Sequence, residues 1–152
     1  MVSIEIIRRF KFFDHLTEDQ LKAVSMIANI ETFTKGSLVA RENTPAAKLY
    51  LLVEGGIDLI YSGGGEGAIV NALVGSIAPG EVFGVSSLIE PFQFISSVRA
   101  DTPIRVVAID AQALRAMSEI DAKLGYALMC KVGSAVLERL KFTQMELAVA
   151  RA

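Results

Sequence analysis

A chain of 152 residues, 52% hydrophobic and 21% charged, is long enough and apolar enough for one domain with a real core, which excludes a disordered chain. Its formal net charge of −2, with basic residues scattered, leaves no electrostatic footprint for nucleic acid. One cysteine, Cys130, excludes an internal disulfide and fits a reducing, cytoplasmic compartment. One histidine, His15, far from it in sequence, excludes the common zinc clusters, so no metal and no cofactor is expected.

The N-terminal stretch is interrupted by Glu5 and carries Arg8 and Arg9, so it does not read as a signal peptide. No apolar run approaches the ~18 residues a membrane span requires. Apolar residues at Ile4, Ile7 and Phe10 to Phe12 predict a short amphipathic helix, with Arg8, Arg9 and Lys11 on its solvated side. Thr17-Glu18-Asp19-Gln20 reads as a capping box that opens a second helix through Leu21, Val24 and Ala28. His15, beside Asp14 and just ahead of that cap, belongs to a surface loop.

From Phe33 the period changes to two. Strands are predicted at Leu38–Ala40, Leu49–Val53, Ile57–Tyr61, Ile69–Val74, Val82–Phe83, Ile95–Ala100 and Arg105–Ile109, separated by Gly, Pro and Asn turns. Many short strands at this spacing indicate a sandwich or barrel. Gly63-Gly64-Gly65-Glu66-Gly67 is read as a hairpin loop and not a phosphate loop, because no Lys-Ser/Thr pair follows and the next segment is strand-like. Asp110 caps a helix through Met117, Ser118 with Asp121 boxes the next start, and from Ala122 the pattern is helical almost to the end. Cys130, among Leu128, Met129 and Val132, is expected to be a buried inert thiol. Within this last helix Met129, Gly133, Val136, Leu140, Thr143, Leu147 and Ala150 alternate by four and three residues, the spacing of a coiled-coil seam.

The stretch from Gly84 to Ala100 carries the most specific signal. Val82-Phe83 ends in a glycine, followed by a helical turn (Val85, Ser86, Ser87), a loop, and a new strand over Ile95-Ser96-Ser97-Val98-Arg99-Ala100. Free N–H groups at the start of such a turn, beside the mouth of a sheet, suit an anion. With Pro79-Gly80-Glu81 ahead of it, the stretch resembles the phosphate-binding cassette of cyclic nucleotide-binding domains. Gly36 to Gly55 is similar to the same family's earlier motif, with Asn43 at a turn position where glycine is usual. The terminal helix, with Glu138 to Thr143, resembles the dimer helix of the catabolite activator type of bacterial regulators.

The resemblance implies an α+β, mainly β fold: one domain over 1–152, with N-terminal helices over 1–32, a jelly-roll β-roll over 33–109 and C-terminal helices over 110–152. It implies a regulatory sensor that is not an enzyme, with a ligand pocket of Phe83, Gly84, Val85, Ser86, Ser87, Phe94, Ile95, Ser96 and Thr143, the last at the place that reaches the base. It further implies a homodimer through Met129, Gly133, Val136, Leu140, Thr143 and Leu147. The regulators it resembles continue into a helix-turn-helix, and the chain stops about where that would begin, so the expected output is a partner protein or the dimer itself, without DNA binding of its own.

Two departures bear on the ligand. Val85 stands where the family has the glutamate that holds the ribose hydroxyl, and Phe94 where it has the arginine that pairs with the cyclic phosphate. Charge-assisted contacts of this kind are worth about 1.5–5 kcal/mol each, so losing both costs roughly 4–6 kcal/mol, three to four decades in affinity. Arg99, an odd number of positions from Phe94, falls on the opposite face of a strand and offers no replacement. Ordinary cAMP or cGMP binding is therefore expected to be weak or lost. A pocket remodelled for a less charged ligand and a site filled by its own core remain open side by side. The second reading makes the chain an interaction module that binds no ligand, or one that pairs with a full-length family regulator.

Overall fold

The computed structural model describes residues 1–63 and 71–152; the Gly63–Gly67 loop, apart from Gly63, and the start of the predicted Ile69–Val74 strand lie outside the described residues. The chain opens with α1 (Ile4–Arg8), a 3-10 turn (Lys11–Phe13) and α2 (Glu18–Met26). The capping box at α2 forms as the sequence predicts: Thr17 Oγ1 accepts from Gln20 N, and Gln20 Oε1 accepts from Thr17 N at 2.9 Å. The first helix ends at Arg8, short of Phe12, because the 3-10 turn swings Phe12 and Phe13 into the interior. The second ends before Ala28, where β1 (Ala28–Phe33) begins. The roll thus starts five residues earlier than expected. This strand is an edge, paired on one side to β8, with Ala28 buried, Glu31 and Phe33 half-buried and the other three residues exposed.

Seven further strands follow: β2 (Leu38–Ala40), β3 (Lys48–Glu54), β4 (Ile57–Tyr61), β5 (Ala72–Ile77), β6 (Val82–Phe83), β7 (Ser97–Ala100) and β8 (Ile104–Asp110). They form two antiparallel sheets of four strands, ordered β1-β8-β3-β6 and β2-β7-β4-β5. Between the sheets lie Tyr50, Leu52, Ile57, Leu59, Val98, Ala100, Val106 and Ala108, each the inward member of its alternating strand. The outward members of β3 and β8 are also apolar. Leu49, Leu51, Val107 and Ile109 meet Ile7, Phe13, Leu21, Val24, Leu114, Leu124 and Leu128 from the helices. Burial on both faces is why these two strands read as continuous apolar runs. The result is a jelly roll with one sheet covered by helices.

Asp110 caps α3 (Ala111–Ile120), accepting from Ala113 N at 2.9 Å. Asp121 alone caps α4 (Ala122–Arg151), accepting from Leu124 N at 3.1 Å. Ser118 does not join that cap; its hydroxyl donates back to Leu114 O within α3. Gln20 Nε2 donates to Asp121 Oδ2 at 3.1 Å, and Lys131 Nζ lies 2.9 Å from Asp14 Oδ1, so both N-terminal segments hold the first half of α4. Leu124, Leu128 and Val132 are buried, Ala135 and Arg139 are half-buried, and every residue from Leu140 onward is exposed. Cys130 is exposed, against the expectation of a buried thiol. It stands two residues from both Leu128 and Val132, which turns it away from the docked stripe. Among the described residues no helix is long and apolar enough to cross a membrane.

Candidate functional site

The cassette starts where β6 ends. Gly84 takes left-handed backbone (φ 73°), and a Cβ there would stand 2.9 Å from Lys48 O, so the turn needs glycine twice over. A 3-10 turn (Val85–Leu88) follows. It is closed by Ser87 N donating to Gly84 O at 3.0 Å and by the fully buried Ser87 hydroxyl donating to the same oxygen at 2.6 Å. The loop after it is stitched to the turn before β3. Asn43 N donates to Phe94 O (2.7 Å), Phe94 N to Thr44 O (3.0 Å) and Ala46 N to Phe92 O (2.7 Å). Asn43 has the left-handed backbone (φ 63°) that its glycine-like position requires.

That stitching fixes where the Phe94 ring goes. It is 8% exposed and packs into the inner core with Ala46, Tyr50 and Phe83. Its Cε1 lies 3.7 Å from the place a Cβ on Gly84 would occupy. Tyr50 and Phe83 stack beside it, ring centroids 4.8 Å apart and 7° from parallel. Burial pushes the Tyr50 hydroxyl's pKa up, so this wall stays neutral at physiological pH. An aromatic cluster with no cationic member therefore stands at the cassette. Val85 is not part of it: it packs against the helical cluster on the other side of the sheet.

The other residues expected at the pocket divide. Phe83, Gly84, Ser86 and Ser87 stay together along β6 and the turn, although the Ser87 hydroxyl is spent on Gly84 O. Ser96 is half-buried. Ile95 is 78% exposed and Thr143 lies on the exposed end of α4, so within one chain neither joins Phe94 in the core. Arg99 points to the outer face, as its register requires, with Nη2 3.3 Å from Asp58 Oδ2.

Two arginines that the sequence reading passed over act here instead. Arg115 of α3 donates from Nη1 to Ser87 O at 2.6 Å, and its guanidinium lies 4.0 Å over the Phe92 ring. It ties both halves of the cassette to the C-terminal helices. Nothing in the local sequence marks it. Arg139 of α4 reaches the roll: its Nη1 lies 2.9 Å from where a Cβ on Gly75 would stand, next to Leu59. Gly75 pairs with Leu59 on the inward-facing side, and its missing side chain is the space the guanidinium uses. Burial pushes the pKa of Arg139 down, against the pull of Glu81 and Glu138, and the residue belongs to none of the ion pairs among the described residues. A signal for it did exist: the stripe Leu124, Leu128, Val132, Ala135 arrives at Arg139 at helical spacing.

His15 is exposed and its nearest acid is Asp14, 3.5 Å away. Among the described residues no group of three or more His, Cys, Asp or Glu is placed to hold a metal ion.

Comparison with known proteins agrees with this geometry. The sequence matches the cyclic nucleotide-binding domain family over residues 30–121. Among solved structures, a protein of Geobacter metallireducens GS-15 assigned to cyclic nucleotide binding is 45% identical, covering 92% of this chain and 99% of its own, with a TM-score of 0.82. A cyclic nucleotide-binding domain of Methylobacillus flagellatus KT superposes with a TM-score of 0.79 over 97% of this chain and 81% of its own, at 16% identity. A Rhodopseudomonas palustris protein assigned as a potassium channel is 21% identical over 117 residues, 77% of this chain but 27% of that protein's length. The roll, the cassette after β6 and the long terminal helix place this chain in the cyclic nucleotide-binding domain family, whose members serve as regulatory and sensor domains.

Proposed function

We propose that the chain is a regulatory domain whose cassette no longer takes cAMP or cGMP at ordinary affinity, and whose output is the pairing of α4 with a second copy of the chain. The observation that carries the first part is the Phe94 ring, 8% exposed and packed with Tyr50 and Phe83 where a cyclic phosphate would need a cation. Val85 adds no charge, and Arg115, a nearby cation, is engaged with Ser87 O and Phe92. Arg139 against Gly75 narrows the space between α4 and the roll. Filling by the chain's own side chains favours a module that works without a cyclic nucleotide. Calorimetric titration with cAMP and with cGMP tests this, and a micromolar dissociation constant for either overturns it.

The second part rests on α4. At about 1.5 Å per residue its 30 residues extend roughly 45 Å, and its docking on the roll ends at Arg139. Met129, Val136, Leu140 and Leu147 keep 43–48% of their surface exposed, and Gly133 between them has nothing within 4 Å of a notional Cβ. A seam of this period, self-complementary about a two-fold axis and with a small residue that lets backbones approach, is suited to a second copy of itself. Sedimentation of the full chain at tens of micromolar as a monomer would overturn this pairing.

A further inference from the structure

A cleft of about 400 Å3 opens between the N-terminal helix and the helix-covered sheet, apart from the cassette. Ile6 and Phe10 line it from the helix side, Val53 and the neighbouring main chain at Leu52 from β3, and Pro79 from the turn before β6. Two guanidinium groups, Arg9 and Arg105, complete it, and no carboxylate lines it among the described residues. Arg105 stands on β8 opposite Glu54 of β3 and spends Nη2 on Glu54 Oε1 at 2.7 Å. Its Nε is buried and has no hydrogen-bond acceptor among the described residues. The Arg9 side chain enters no ion pair among the described residues.

A buried N–H without an acceptor is uncommon, because leaving it unmade is costly. Here the Nε is enclosed by protein and Nη2 is held by Glu54, so Nη1 is the donor that Arg105 offers the cleft, beside a second guanidinium and against an apolar wall. The volume is that of a small-molecule site, and such sites pair a mostly apolar lining with a few polar groups that fix orientation. We propose that this cleft binds a small amphipathic monocarboxylate. The acid group lies on Arg105 and Arg9, and the hydrocarbon lies on Ile6, Phe10, Val53 and Pro79. The cleft meets the cassette stretch only at its leading turn, Pro79 and Gly80, and shares no residue with the candidate pocket from Phe83 to Ser96, so the inference does not depend on what that pocket binds. Ile6 and Phe10 also pack in the helical cluster that holds Leu124 and Leu128, so an occupant bears on the layer where α4 docks.

The test uses the full chain, octanoate as the probe and octan-1-ol as its neutral counterpart, followed by amide chemical shifts. Octanoate should bind at least about tenfold more tightly than the alcohol, since a hydrogen bond to a charged group is worth roughly ten- to a hundredfold. The shifts should centre on Ile6, Phe10, Val53 and Gly80. Arg9→Gln and Arg105→Gln should each weaken octanoate about tenfold and leave octan-1-ol unchanged. Equal binding of acid and alcohol by the unmodified protein overturns the proposal, as does the absence of any shift at millimolar octanoate. Shifts centred instead on Arg41 and Arg99, at the outer face of the other sheet, also overturn it.

Discussion

Replacing Phe94 by alanine separates a filled site from a merely altered one. The ring is 8% exposed and belongs to the inner core with Ala46, Tyr50 and Phe83, so its loss leaves a hole beside backbone that three hydrogen bonds hold in place. Phe→Ala in a core costs about 3–5 kcal/mol, and a site that cannot collapse sits high in its range, whereas a ring near the mouth of the roll sits low. About 3 kcal/mol is the expected loss. With a urea slope of about 2 kcal/mol/M, the midpoint should fall by about 1.5 M. Both proteins are unfolded at one protein concentration, because pairing would shift the midpoint. Saturating cAMP should leave both midpoints where they were, since the vacated space offers no cation. Phe94→Arg, which puts a cation into that space, should restore a response: a ligand at a hundred times its Kd adds about 2.7 kcal/mol to the folded state. A loss below about 1 kcal/mol in Phe94→Ala would refute the reasoning, because surface substitutions stay near that level. A rise in the wild-type midpoint with cAMP would refute it from the other side.

Leu140→Glu with Leu147→Glu should give a soluble monomer by sedimentation. About half of each leucine remains to be buried, worth about 0.7–1.5 kcal/mol, so four leucines in a pair contribute about 3–6 kcal/mol, two to four decades of association. Arg115→Met should leave Ser87 O short of a donor, costing about 1–3 kcal/mol locally, and speed amide exchange from Ser87 to Ile89 without altering that of β3. Acid should loosen the hold on α4. Lys131 first, and His15 after it, keep the Asp14 carboxyl below its usual pKa, and Gln20 first, then Leu124 N, do the same for Asp121. Folded pKa values lowered in this way give stability that is present above the unfolded value of about 3.9 and lost as pH falls through the folded one. The urea midpoint should therefore be flat from neutral pH to about 5 and fall below about 4, and Asp14→Asn with Asp121→Asn should flatten that fall.

Local chemistry made most of the fold readable. The Thr17 box, the turn at Asn43, the Asp110 cap and the strands of the roll each follow from a few adjacent residues. β1 escaped because its first residue, Ala28, also fits the apolar spacing of the helix before it, which drew the helix on into the strand. The Ser118 box failed because Asp121 reaches Leu124 N unaided. Cys130 was misplaced because adjacency to Leu128 and Val132 in sequence is not adjacency on a helix. In the candidate site, the departures at Val85 and Phe94 were plain in the sequence, but their destinations were not. One packs toward the helices and the other between the sheets, a parting that only the left-handed Gly84 and the stitched loop determine. Arg115 lies more than twenty residues from the turn it holds, a distance no local pattern spans.

The two stripes of α4 let one helix dock on its own roll and still present a second apolar face. The docking stripe, Leu124, Leu128, Val132, Ala135 and Arg139, follows the helix's own period near 3.6, whereas the seam from Met129 to Leu147 follows 3.5. Over the first turns they lie on adjacent faces, so the helix can hold its own roll and a second copy at once. The docking stripe drifts across the seam by about 20° per heptad, and past Arg139 its continuation, Phe142, Met145 and Val149, is exposed at 54%, 58% and 78%. In the family's design a ligand changes how this helix sits, which requires the roll and the helix to be held together weakly enough to move. Here Arg139 of α4 against Gly75, and Arg115 of the preceding α3 on Ser87 O, supply contacts from within the chain between the helices and the roll. On the proposed reading, a cassette filled by the chain's own side chains leaves the exposed distal half of α4 to act as an assembly element and not as the arm of a ligand-gated switch.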